Sequence, residues 1–257
     1  MTEVLALPTL EAPFAPWIFE YVLSALALVL IAFFIRASIR ARELTFALLV
    51  TVSGATMWWQ EWYADWGVYL LYSPKFHLMP WGATQWASPN KPWFMPFAYA
   101  WYYGLIYIGM TAAIFALRRN KPSLGKLSSV LIIAVPFFYL WDLFVEGVSV
   151  GLGYWTYFDT FGPSIVFAST AISLVHPLII FTIYGVAAAY ILSDRDENGH
   201  ARFESVFRVE SVRPGWRRES VRLLAYVIVM NLTFFVFMSI PMIVVRELFG
   251  HANAFVP

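Results

Sequence analysis

Two pairs of acidic residues interrupt an otherwise apolar chain. Glu61 and Asp65 lie in MWWQEWYADWGVYLLY (57–72), surrounded by Trp58, Trp59, Trp62 and Trp66 and by Tyr63, Tyr69 and Tyr72. Asp142 and Glu146 lie in YLWDLFVEG (139–147). Each pair is spaced four residues apart, so on a helix its two carboxyls share a face. In an apolar pocket the ionised form of a carboxyl loses its water. Such a group can hold a proton near neutral pH and act as a general acid, while a second carboxylate nearby stays ionised as base or electrostatic stabiliser. The aromatic faces of Trp58, Trp62, Tyr99, Tyr102, Tyr103 and Trp141 can steady a cationic intermediate through their quadrupoles. His176, in SLVHPLII, and Asn231, in VMNLTFF, add polar groups inside apolar segments. The chemistry this set suits is acid-catalysed cyclisation, dehydration or isomerisation of a lipophilic substrate. Glu61, Asp65, Asp142 and Glu146 are the candidate catalytic groups, and the six aromatic residues with His176 and Asn231 are the candidate substrate contacts.

Each residue also has a plainer reading. The aromatic side chains can form the belt that anchors a protein at a membrane surface. Glu61 and Asp65 can simply bond tyrosine hydroxyls or Lys75, and Asp142 and Glu146 can be a structural pair. Glu20 and Glu247 fall near the ends of apolar runs, where solvation is expected. His176 precedes Pro177 and can bond a carbonyl that the proline frees.

The segments that must carry these residues are membrane-like. The chain of 257 residues is 60% hydrophobic and 13% charged, with a mean hydropathy of +0.66, against about 25% charged in an ordinary soluble domain. Six apolar runs approach the roughly 20 residues needed to cross a bilayer: 16–39, 44–72, 96–117, 127–150, 164–193 and 220–248. The second is too long for one span. Of the seventeen Lys and Arg residues, all but Lys75, Lys91 and Arg246 fall between runs one and two, three and four, or five and six. The bias toward basic inner loops then places both termini outside the cytoplasm. At 1.5 Å per residue, Glu61, Asp142 and Glu146 would stand about 22–28 Å above the inner face. The expected fold is therefore all-α, a polytopic transmembrane helical bundle of about six spans in a bacterial cytoplasmic membrane. It forms one domain over 1–257, with an outer lid at 73–95 and a cytoplasmic loop at 194–219. Residues 2–15, with acids and prolines and no basic stretch, read as a short arm and not as a secretory signal.

Several chemistries are unsupported. There is no cysteine, hence no disulfide, thiolate metal site or cysteine nucleophile. One intramembrane histidine makes a poor transition-metal site, and no phosphate-cradling glycine loop, nucleophile elbow or dinucleotide fingerprint occurs. No metal and no cofactor are expected. The expected partners are a lipophilic small molecule and membrane lipids, with no nucleic acid. The oligomeric state stays open.

Three segments, in order, resemble the avermectin-spirocyclase (AveC-like) family of membrane proteins. The first is Trp59-Gln60-Glu61 followed by Tyr72-Ser73-Pro74-Lys75-Phe76 and Gly82…Trp86. The second is Asp142…Glu146 followed by Gly153-Tyr154-Trp155-Thr156-Tyr157. The third is Asp196…Gly199…Glu204 with Leu223-Leu224-Ala225. The family pattern has Asp-Pro after Trp-Gln, where this chain has Glu61-Trp62. The resemblance implies an integral membrane protein of secondary metabolism and a spiroketal-forming activity on a dihydroxy-ketone polyketide. Two readings from other classes stand beside it: a membrane terpenoid or meroterpenoid cyclase that protonates an alkene or epoxide, and a non-enzymatic accessory or lipid-binding subunit.

Overall fold

Apolar sequence in a lipid-like medium can satisfy its backbone only within a helix or a closed sheet, and this chain is mostly helical. The computed structural model describes residues 16–80, 85–167, 170–197 and 199–256. The expected arm at 2–15, and residues 81–84 of the lid, including Gly82 of the first family segment, lie outside them.

Among the described residues, four helices are long and apolar enough to cross a membrane: α1 (Pro16–Ala41), α4 (Met95–Asn120), α5 (Lys126–Gly151) and the continuous run Trp216–Phe249. That last run is α8 (Trp216–Phe234), a π-helical turn (Phe235–Ser239) and α9 (Ile240–Phe249). The other two expected spans are not single long helices. The 44–72 run breaks into α2 (Phe46–Ala55), a 3-10 turn (Trp58–Gln60), α3 (Glu61–Gly67) and β1 (Leu70–Tyr72). Tyr69 turns the chain out of α3 at a positive φ of 59°. The 164–193 run begins as a hairpin, β3 (Ser164–Phe167) with β4 (Thr170–Ser173). It continues as a π-helical turn (His176–Phe181) and the short α6 (Thr182–Leu192). Hydropathy over a window cannot separate an apolar strand from an apolar helix, and SIVFASTAIS is rich in β-branched and small residues that suit strands. The all-α expectation is corrected accordingly. A second two-stranded unit pairs β1 antiparallel with β2 (Trp155–Tyr157), with Leu70 opposite Tyr157 and Tyr72 opposite Trp155.

Packing explains the order of the bundle. Gly54 of α2 and Gly104 of α4 let these helices approach closely: a Cβ on Gly104 would press on Thr51, and one on Gly54 on the Tyr99 carbonyl. Small residues at such contacts are the usual route to close helix packing where lipid supplies no hydrophobic drive. The short α7 (Phe203–Val206) joins the basic end through Arg222 of α8. Arg222 bonds Glu204 (2.9 Å), Glu219 (3.2 Å) and the Leu44 carbonyl (3.2 Å). At the opposite end Arg246 is buried, with its guanidinium 3.9 Å from the Trp66 ring and bonded to the Trp66 and Val256 carbonyls.

Candidate active site

Between α3, α4, α5, the β1–β2 pair and the π turn at His176 lies a cavity of about 280 Å³, well above the roughly 10–15 Å³ that one water needs. Its lining brings together both acidic pairs, Glu61 with Asp65 and Asp142 with Glu146. Around them stand Tyr72, Tyr99, Tyr102, Tyr103, Trp141, Trp155, Tyr157 and His176. At one end it is walled by Leu23 of α1 and by Phe144 and Val148 of α5. Phe144 and Val148 are 60% and 43% exposed, so the chamber reaches the apolar outside of the bundle.

The first acidic pair sits on α3, and each member has a dedicated partner. Glu61 accepts hydrogen bonds from the Tyr72 hydroxyl (2.9 Å) and the Tyr99 hydroxyl. Asp65 pairs with Lys91, which is fully buried and also donates to Ser88 Oγ (2.6 Å). Asn90 holds the neighbouring backbone as a strand would: its side chain donates to the Tyr72 carbonyl (2.8 Å) and accepts from the Tyr72 N–H (3.2 Å).

The second pair sits on α5 and is held from one side only. Glu146 Oε2 accepts from Trp155 Nε1 (2.8 Å) and from the Tyr157 hydroxyl. Asp142 Oδ2 and His176 Nδ1 stand 3.2 Å apart but are not aligned for a hydrogen bond, and neither has another partner. Trp101 Nε1, on the same cavity, is likewise unpartnered. Buried polar atoms are normally satisfied, and three that lack a hydrogen-bond partner stand around this chamber. The two tyrosines on the strands each donate to one acidic pair, Tyr72 to Glu61 and Tyr157 to Glu146.

Several expected contacts fall elsewhere. Asn231 is not on the cavity. It ties α8 to the 3-10 turn, donating to Thr56 Oγ1 (2.7 Å) and accepting from Trp59 Nε1 (3.0 Å) and Gln60 Nε2 (3.2 Å). Trp58 and Trp62 pack against each other, ring centres 5.2 Å apart, and neither lines the chamber. The break after α2 leaves Trp58 on the 3-10 turn, and Trp62 on α3 packs against it. Glu20, expected to be solvated, is buried and bonds the His77 N–H (2.8 Å) and Nδ1 (2.6 Å). His176 Nδ1 has no hydrogen-bond partner and so bonds no carbonyl that Pro177 frees. Sequence reasoning passed over Lys91, Tyr72, Trp155 and Tyr157 as site residues. The last three stand in the family segments, and that was the available signal. Lys91, in a polar proline-rich loop, carried none.

Apolar helices of membrane-spanning length around an acid-lined aromatic chamber mark a membrane-type protein. A family model described as spirocyclase AveC-like matches residues 39–254, and the chain belongs to that family. A search of curated proteins and a search of solved structures each returned no significant match.

Proposed function

We propose that the chain is an integral membrane cyclase of secondary metabolism that closes rings on a lipophilic polyketide-type substrate by acid–base catalysis, forming a spiroketal or dehydrating a cyclic hemiketal. The observation that carries this reading is the convergence of four carboxyl groups in one aromatic chamber open toward lipid. Those four face one ammonium, Lys91, and one imidazole, His176. Unpaired buried charge is strongly unfavourable, so the chamber approaches neutrality by holding protons or by housing positive charge. Both serve the reaction. A proton from the Asp142–Glu146 side goes to the hemiketal hydroxyl, and the C–O bond breaks to release water. The oxocarbenium ion left behind is stabilised by carboxylate charge and by the faces of Tyr99, Tyr102 and Trp141. The second substrate hydroxyl attacks that carbon and gives its proton to Glu61, so the net change is loss of one water. Tyr72 and Tyr99 hold Glu61 in place for that step.

In the same reading six segments cross a bacterial cytoplasmic membrane with both termini outside, and the chamber lies in the outer half. The cysteine-free sequence makes this easy to test, since single cysteines introduced at either end of α4 can be labelled from one side only. The aromatic lining also suits a carbocation, which supports a second reading, protonation of a polyprenyl alkene or epoxide. The gathering of four carboxyl groups in one chamber counts against a purely accessory role.

The deciding experiment compares Glu61→Gln, Asp142→Asn and Glu146→Gln with the unaltered protein in proteoliposomes, each fed a dihydroxy-ketone polyketide or a polyprenyl epoxide. Removing a general acid or base is expected to slow ring closure by about 10²–10⁴-fold. Full activity in all three variants rules out the acid–base reading, and turnover of the epoxide alone selects the second substrate class.

A further inference from the structure

His176 is placed by an unusual local structure. It opens a π-helical turn, His176–Phe181, with Pro177 at its start. Such turns are rare and concentrate at functional sites. The turn sets the imidazole against α5, where Asp142 and Glu146 occupy one face. One ligand-type atom from each of Asp142, Glu146 and His176 lies within 4.8 Å of the other two. All three residues are more than nine-tenths buried, at 3%, 8% and 6% exposed.

We propose that Asp142, Glu146 and His176 form a binding site for one divalent transition-type cation, with a coordination position left open to the chamber. Three observations carry it. Asp142 Oδ2 and His176 Nδ1 are buried side by side as a close ion pair, outside hydrogen-bond geometry and with no other hydrogen-bond partner. Their separation of 3.2 Å falls within the range for two adjacent ligands on one ion: bonds of roughly 2.0–2.2 Å set such edges at about 2.8–3.1 Å in octahedral and about 3.3–3.6 Å in tetrahedral geometry. Glu146 is already oriented by two donors, Trp155 and Tyr157, on the same oxygen, the kind of outer support that ligating carboxylates carry. One imidazole and two carboxylates with no thiolate suit Mn²⁺, Fe²⁺ or Zn²⁺. The excess of carboxyl groups in the chamber favours a cation further. The binding claim is independent of the reaction. Only the role of the ion rests on the proposed function: a bound cation would draw electron density from a substrate oxygen as a Lewis acid, the task given above to a proton from this wall.

The test is metal content. The purified full-length chain in detergent, stripped with chelator and dialysed against Zn²⁺ or Mn²⁺, is expected to retain close to one ion per chain by plasma mass spectrometry. Co²⁺ loading should give visible d–d absorption in the unaltered protein, a readout that needs no variant to fold. His176→Ala and Asp142→Asn should abolish retention, whereas Glu61→Gln should retain the ion. Tyr157→Phe, which leaves all three ligands in place, should weaken binding about 10–100-fold. A folded, monodisperse protein that retains no ion and shows no Co²⁺ bands overturns the site. Cyclisation by such ion-free protein would overturn this inference and leave the proposed function standing. Stoichiometric metal without cyclisation of either substrate would do the reverse.

Discussion

Glu61–Asp65 and Asp142–Glu146 share a spacing and a chamber, yet differ in how their oxygens are satisfied. Glu61 holds two tyrosine hydroxyls and Asp65 holds a buried lysine. Across the chamber Glu146 is tethered through one oxygen, and Asp142 meets His176 without a hydrogen bond. The difference teaches that an identical sequence signal, two acids four apart on a helix, can yield one pair whose oxygens are saturated and one whose oxygens are only partly bonded. What decides is the loop chemistry brought to each. The lid residues Ser88, Asn90 and Lys91 close over the first pair, and β2 reaches only Glu146 of the second.

The comparison breaks most visibly at Lys91. Removing one partner of a buried ion pair leaves the other charge uncompensated, a loss of about 3–5 kcal/mol. Lys91→Met should therefore destabilise the protein by that amount in thermal or denaturant unfolding in detergent, and Asp65→Leu added to it should recover most of the loss. Equal stability of Lys91→Met and the unaltered protein would mean that the first pair is no more saturated than the second.

The tyrosine partners sharpen the contrast. Tyr99→Phe strips one of two donors from Glu61, and Tyr157→Phe one of two from Glu146. A hydrogen bond to a charged group contributes about 1.5–3 kcal/mol. Both variants should lose stability within that range, but only Tyr157→Phe should also weaken metal retention. Loss of retention in Tyr99→Phe would show that the two walls act as one.

The walls can also be moved as bodies. Gly185 of α6 faces Phe138 of α5, and a Cβ there would overlap the ring. Overpacking of this kind costs about 1–3 kcal/mol. Gly185→Ala should displace α5 and with it Asp142 and Glu146, so metal retention falls along with stability. Gly104→Ala, which presses on Thr51 of α2, should lower stability and leave the ion in place.

The helical class, the membrane-length segments and the two acidic pairs were legible because burial in an apolar medium writes itself into composition and i,i+4 spacing. The bend after Ala55 was not. Gly54 stands beside it, but a glycine inside an apolar run reads equally well as a packing position, and the bend is held by Asn231, Thr56, Gln60 and Ser239 bonding one another across 170 residues or more of sequence. Asn231 is spent on that contact and stands off the chamber, while Glu61 and Asp65 line it. Lys91 was hidden for the opposite reason: a lysine in a polar loop reads as solvated until the fold covers it. The pairing of Asp142 with His176 joins positions 34 apart in sequence, and only the π turn at His176 brings them together.

A carboxylate in water completes the series. Asp194, on the loop after α6, bonds Lys126 Nζ (2.7 Å) and Arg202 Nε (3.3 Å) in a partly exposed setting. Burial works to raise its pKa, but the hydrogen bonds and charges of Lys126 and Arg202 outweigh it and hold the carboxyl below its ordinary value of 3.8. A carboxyl depressed in the folded state stabilises the protein fully above its unfolded value and loses that contribution as pH falls through the folded one. Asp194→Asn should therefore cost about 0.2–1 kcal/mol at neutral pH, the range for exposed pairs. The gap between variant and unaltered protein should close as pH is lowered below 3.8, and should shrink at high salt. A gap as large as that of Lys91→Met would mean that burial is not what separates the chamber from the surface. The small effect expected at Asp194 isolates it: the same acid–amine contact gains its structural weight at Asp65 from the absence of water.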